Sequence, residues 1–255
     1  MISEKKAMKA QSLSHHNLCH LLFPAAIALA ICAPPVRAGL FSEGNILVSL
    51  GDPGPTIQDT LYEYTRSGQL VQSFSIPYPV SPIPITENAR DVAVSPDGFA
   101  HVYNGTFSPN MSSLNPVNGT WTHTTFPGWS TNGTGGYGGI AAKGEFVFVT
   151  DMNTVGANEM GVVRFDRGNS SATRFASNID PIDLNIGLDG LLYIQYPGGF
   201  PAGRALDVYD PITLSFIRTT GFGFTDHRSI AVNSAGEIFV VDFEGNLQKR
   251  DPFGG

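Results

Sequence analysis

The sequence predicts an all-β protein: a β-propeller of four-stranded antiparallel blades, about five of them present and short of a six-bladed ring. Three observations predict it. Glycines 98, 144, 190 and 236 recur every 46 residues, and a fixed period of roughly 20–50 residues marks a repeat architecture. Each glycine opens a short apolar run, as in Phe146–Val149 or Ile238–Val241, continuous enough for a strand buried on both faces. No stretch beyond the amino-terminal segment carries a helical period.

Residues 1–38 read as an export leader. Lys5, Lys6 and Lys9 form a basic start, Leu21 to Ala33 is apolar, and Val36-Arg37-Ala38 places small residues for cleavage after Ala38. The apolar run falls short of the roughly 20 residues that span a bilayer, so no stable membrane span is expected. An uncleaved anchor, or lipidation at Cys32, are the lesser alternatives. Both cysteines, Cys19 and Cys32, lie in the leader. A mature chain of residues 39–255 therefore has no disulfide, thiolate metal site or cysteine nucleophile, and its core must hold it. The leader carries four of the 15 Lys and Arg but only Glu4 of the 22 acids, leaving a net charge of −10 on the rest. That balance, without a basic run, argues against nucleic acid as a partner.

Within each repeat the strand before the turn glycine is small and β-branched, as at Asp91–Val94, Gly139–Ala142, Asp183–Ile186 and Ser229–Val232. Such residues suit an inner strand crowded near an axis. A tight turn follows, with glycine supplying positive φ. Third strands read as Leu61–Tyr64, Val162–Phe165, Leu206–Tyr209 and Leu247–Arg250. Each ends at a polar turn, and a fourth strand such as Ser215–Thr219 returns. Pro77 to Pro84 reads as a stiff connection between the first two blades. The strands expected per blade are three, four, four, four and three, 18 in all. The first blade begins at a second-strand segment, and the last stops in the turn before its fourth strand. Propellers close by letting one terminus complete the other's blade. The expectation is thus a shortened chain.

The strands around Gly236, Ile230–Asn233 before it and Phe239–Asp242 after it, resemble NHL-type repeats. Over roughly residues 45 to 252 the chain resembles six-bladed propellers of the NHL and SMP-30/gluconolactonase class. In the gluconolactonase group, an acid and an asparagine at inner-strand starts bind a divalent metal, about eight residues before the turn glycine. Here that slot holds Arg90, Gly138, Ile182 and Arg228, so the resemblance does not carry the metal site over. Asp91 and Asp183 sit one residue later, and period-two alternation turns them to a different side.

The same strand starts offer a ligand-binding reading. Arg90, Asp91, Asp183, His227 and Arg228 lie at the mouth of the axial channel, where arginine forks recognise carboxylates. The competing reading is that these charges pair among themselves and hold neighbouring blades in register. Trp129, Tyr137 and Tyr196 are loop aromatics of the same face, suited to stacking on a sugar or gripping a peptide, or to packing down as caps. Gly133–Gly138 matches a dinucleotide pattern but precedes a strand. Asp151–Val162 is a partial calcium loop with valines at ligand positions, so no cofactor is expected and calcium is the one metal considered. Sequons begin at Asn104, Asn110, Asn118, Asn132 and Asn169, relevant in a eukaryotic secretory pathway.

The reading that results is a secreted or periplasmic, non-enzymatic propeller, binding an extracellular or cell-surface glycan or peptide through its loop face. The alternative is a metal-dependent hydrolase or lactonase acting near Asp91 and Asp183. A third reading has the chain completing its fold with another subunit; the oligomeric state is not legible.

Overall fold

The computed structural model describes residues 40–51, 59–77, 89–104, 111–126, 138–151, 161–177, 181–196, 206–220, 227–242 and 245–251. At 227, 228 and 242 the description covers backbone alone. The expected leader lies outside the described residues.

The chain is a five-bladed, all-β propeller. Blade 1 contains β1 (Ile46–Leu50), β2 (Thr60–Tyr64) and β3 (Leu70–Ser75). Blade 2 contains β4 (Ala89–Val94), β5 (Ala100–Asn104), β6 (Met111–Leu114) and β7 (Trp121–Thr124). Blade 3 contains β8 (Ile140–Lys143), β9 (Phe146–Asp151), β10 (Gly161–Asp166) and β11 (Ser171–Phe175). Blade 4 contains β12 (Asp183–Ile186), β13 (Leu192–Gln195), β14 (Leu206–Tyr209) and β15 (Phe216–Thr220). Blade 5 contains β16 (His227–Val232), β17 (Ile238–Asp242) and β18 (Leu247–Arg250). The expected tally of 18 strands, divided three, four, four, four and three, is the observed one. No sixth blade exists among the described residues.

Every pairing is antiparallel between strands consecutive in sequence. First and third strands therefore start at one end of each blade, called here the upper face, and the turns after them lie at the lower face. The four periodic glycines sit in lower turns at φ of 87°, 59°, 83° and 75°, a region that costs a residue with a Cβ about 1–2 kcal/mol. In blade 2 the turn is closed by Ser95 N to Phe99 O (3.0 Å) and Gly98 N to Ser95 O (2.8 Å). Gly187–Leu191 and Asn233–Glu237 repeat the pattern. Blade 3 shortens it to Gly144-Glu145 between Lys143 and Phe146.

The core is not central but divided into layers between blades. Leu61 and Ile76 of blade 1 meet Ala100, Val102 and Leu114 of blade 2. Tyr103, Met111 and Phe126 meet Ile140, Val147 and Val149 of blade 3. Ala141, Phe148 and Val162 meet Leu184, Leu192, Ile194 and Tyr196 of blade 4. Tyr193, Leu206 and Val208 meet Ile230, Val232, Ile238 and Val240 of blade 5. Strand alternation explains the division: Tyr193 faces one neighbour and Ile194 the other. Each fully buried side chain of this size contributes roughly 1.5–3 kcal/mol. On blade 1 the face turned from blade 2 stays open, with Ile46, Val48 and Leu50 at 49%, 42% and 58% exposure.

A polar clasp ties blades 2 and 3 at the lower face. Buried His101 places Nδ1 2.8 Å from Ser113 Oγ and Nε2 3.1 Å from Ser95 Oγ. Arg167 of blade 3 donates to Ser95 Oγ (2.9 Å), pairs with Asp97, and lies 4.8 Å over the Phe99 ring. Burial and the Arg167 charge push the imidazole down to about 3, against the pull of Asp97. The ring is neutral at any physiological pH, accepting at Nε2 from the guanidinium side and donating from Nδ1. His101 is a strand-face residue of β5, and its role is structural.

Candidate functional site

The upper face at the axis is organised by carboxylates that accept backbone N–H groups. Asp59 Oδ2 accepts from Ala89 N at 2.8 Å, joining blade 1 to blade 2. This contact also places the start of β2 at the upper end, so β1 runs as second strands do. Asp91 accepts from its own neighbour Val92 N (2.8 Å) and, through Oδ2, from Ile140 N of blade 3 (2.9 Å). Asp183 accepts from Leu184 N (2.8 Å) and, through Oδ2, from Ile230 N of blade 5 (2.8 Å). The Gly139-Ile140 peptide runs between the last two carboxylates: Asp91 holds Ile140 N, and Gly139 lies against Asp183. A Cβ on Gly139 would come within 2.8 Å of Leu184 N, so only glycine fits.

The aspartates hold the blades in register, through backbone amides rather than through arginine. Arg90 is exposed, and its charge favours ionisation of buried Tyr103, whose pKa burial and Asp151 raise. Asp183 is 8% exposed. Burial above all, then the charge of Asp91, raises its carboxyl to about 8, outweighing the N–H groups of Ile230 and Leu184 and the Ser229 side chain. Burial also raises Asp91, against the N–H groups of Ile140 and Val92. At neutral pH the pair therefore favours keeping a proton.

A pH dependence follows. A carboxyl raised on folding binds more protons in the native than in the unfolded state between the two pKa values, so its contribution to stability is lost as pH rises toward the folded value. His101, lowered on folding, acts oppositely but only below its unfolded value of 6.5. Between pH 6.5 and 8 the aspartate effect is the only one among the described groups with a shifted pKa. Stability by urea denaturation should fall across that window in the wild type and stay flat in Asp183→Asn. A wild-type profile as flat as that of the variant would show that Asp183 is ionised throughout.

One residue that the sequence did not single out completes the site. Gln195, the last residue of β13, stands directly opposite Asp183 in the ladder, so both side chains share the sheet face turned toward blade 5. It is 2% exposed, and neither Oε1 nor Nε2 has a hydrogen-bond partner among the described residues. An unsatisfied buried carboxamide costs about 1–3 kcal/mol, and native proteins hold few of them. A carboxyl that keeps its proton beside an unpaired carboxamide offers donors and an acceptor to a neutral polar group.

Other expected site residues are distributed differently. Tyr196 is not on the open face: at 2% exposure its ring packs in the layer between blades 3 and 4. Its parity with Ile194 along the chain puts it there. His227 and Arg228 lie in β16 at the upper end. Trp129 and Tyr137 lie outside the described residues, as do residues 152–160 of the calcium-loop match. Asp151, which opens that match, is 2% exposed and pairs with Arg174 Nη1 at 2.7 Å. Among the described residues no three of His, Cys, Asp or Glu stand together so as to hold a metal ion. The slots that the resemblance points to do not fit one either, since Arg90 opposes a cation and Gly138 offers no side chain. A Cβ at Gly138 would meet Tyr103 Cζ at 2.7 Å and Thr150 Oγ1 at 2.8 Å.

No family model matches the chain, and no curated protein is similar to it in sequence. Solved structures are. A protein of unknown function from Bacteroides thetaiotaomicron shares 12% identity at a TM-score of 0.58, covering 82% of this chain and 57% of that one. The structure of U3-55K shares 13% at a TM-score of 0.54, covering 82% and 58%. The β-propeller class is shown. At these identities the likeness concerns the fold alone, and the chain spans rather more than half the length of these neighbours. Streptogramin B lyase is also similar, at 14% identity and a TM-score of 0.47 over 82% of this chain and 75% of that one. No helix among the described residues is long and apolar enough to cross a membrane.

Proposed function

We propose that this propeller is exported and binds an extracellular glycan or peptide at its upper face, by a neutral polar group that meets Asp183 and Gln195. The observation that carries the reading is the Gln195 carboxamide, buried directly across the ladder from Asp183 and without a hydrogen-bond partner among the described residues. A sugar hydroxyl or a peptide amide supplies both a donor and an acceptor, and pairing with a buried amide confers selectivity because its loss leaves that amide unsatisfied. On this reading the role is binding rather than turnover. The export reading rests on the leader-like pattern of residues 1–38: a basic start, an apolar run and small residues at Val36 and Ala38.

The test uses glycan and peptide arrays probed with wild type and Gln195→Met. A methionine of similar volume removes the unpaired amide, so the variant should be more stable by about 1–2 kcal/mol yet lose at least tenfold in affinity for the ligand that wild type selects. An array on which wild type binds nothing, or on which both proteins bind alike, would sink the reading.

A further inference from the structure

The structure separates sequons that the sequence could not rank. Asn104 is 2% exposed on β5, and its Nδ2 donates to Ser112 Oγ at 2.8 Å. No glycan fits there in the native fold. Asn169 is exposed in the lower turn after β10, but its Nδ2 donates to Asp166 Oδ2 at 3.0 Å, which engages the atom that would be modified. Asn110 and Asn132 lie outside the described residues. Asn118 differs from all of these. It is exposed in the lower turn between β6 and β7. Its Oδ1 accepts from both Thr120 N (3.0 Å) and Thr120 Oγ1 (2.7 Å). The turn is fixed by Gly119 N to Asn115 O and Asn115 N to Thr120 O, each 2.9 Å, with Gly119 at φ 68°. Nδ2 of Asn118 has no protein partner among the described residues.

We propose that, of the three sequons among the described residues, Asn118 is the principal N-glycan acceptor in a eukaryotic secretory pathway, with Asn169 secondary and Asn104 unmodified. The proposal rests on the export reading above. The hydroxyl and N–H of Thr120 draw on Oδ1 and turn Nδ2 outward, toward a transferase. In the reaction Nδ2 attacks the anomeric carbon of an oligosaccharide carried on a polyisoprenyl diphosphate. The new bond is N–C1, the bond broken is C1–O to the diphosphate, the lipid diphosphate leaves, and the Nδ2 proton passes to a base of the transferase. Both acceptors lie at the lower face, so glycans there leave the upper site open.

The full chain is expressed in a secreting eukaryotic cell line, with its own leader and separately with a second export leader fused ahead of Met1. Secreted protein is mapped by mass spectrometry after enzymatic glycan release in heavy-oxygen water, which marks each formerly occupied asparagine. The expected result is Asn118 occupied in most molecules, Asn169 in fewer and Asn104 in none, with Asn118→Gln and Thr120→Val each removing one glycan. Exported, cooperatively folding protein with Asn118 bare, or with Asn104 occupied, overturns the proposal. Asn118 occupied only behind the second leader supports the acceptor site and contradicts the export reading, so the two failures are distinguishable.

Discussion

Gly139→Ala is expected to destabilise the protein by about 3 kcal/mol or more, beyond ordinary overpacking because backbone atoms are in the way. The added Cβ would lie 2.8 Å from Leu184 N and 3.2 Å from the Asp183 Cα, besides overlapping the Asp183 carboxylate. A side chain could swing aside; the start of β12 cannot, because Asp183 is itself fixed to Ile230. Gly68→Ala serves as the comparison. It has positive φ but nothing within 4 Å, so it should lose only the backbone preference, about 1–2 kcal/mol. Urea denaturation of the three proteins measures both. Equal losses at the two positions would mean that blades 3 and 4 do not approach as described.

Asp183→Leu should cost about 3–5 kcal/mol, because two buried N–H groups, of Leu184 and Ile230, lose their acceptor together. Asp183→Asn keeps one oxygen and should lose roughly half as much. The ordering matters more than either magnitude. A carboxylate acting by charge would make the neutral amide nearly as harmful as leucine, whereas a carboxyl that favours its proton predicts the graded series. Thermal unfolding at pH 7, with calorimetric and optical transitions compared to check cooperativity, gives the order.

The fold was legible because the features that make it are local. A glycine at φ 83° between Asp189 and Leu191 needs only its own turn, and alternation along Leu192–Gln195 assigns each residue to a layer without knowing the neighbour. The upper site was legible in part. Asp91 and Asp183 stood out as acids at inner-strand starts, but their partners are the amides of Ile140 and Ile230, 49 and 47 residues away, and an amide leaves no mark in sequence. Gln195 carried no signal at all by itself. It acquires meaning from the register that sets it opposite Asp183, and from the lack of a partner among the described residues, which only packing reveals. Tyr196 shows the opposite error: beside Pro197 and Gly198 it reads as a loop aromatic, yet it continues the alternation of β13 by one residue and is buried. The open face of blade 1, with Ile46, Val48 and Leu50, follows the same alternation but, among the described residues, has no apolar layer like those between the other blades.

The most direct test of the account is thermal unfolding of Gln195→Met beside wild type, without and with the glycan or peptide that the arrays select. The account predicts a variant that melts higher than wild type when ligand-free and gains nothing from the ligand, while wild type rises with ligand concentration. A variant that melts lower than wild type, or is stabilised equally by the ligand, would contradict it, because Gln195 would then serve the fold and not a bound molecule.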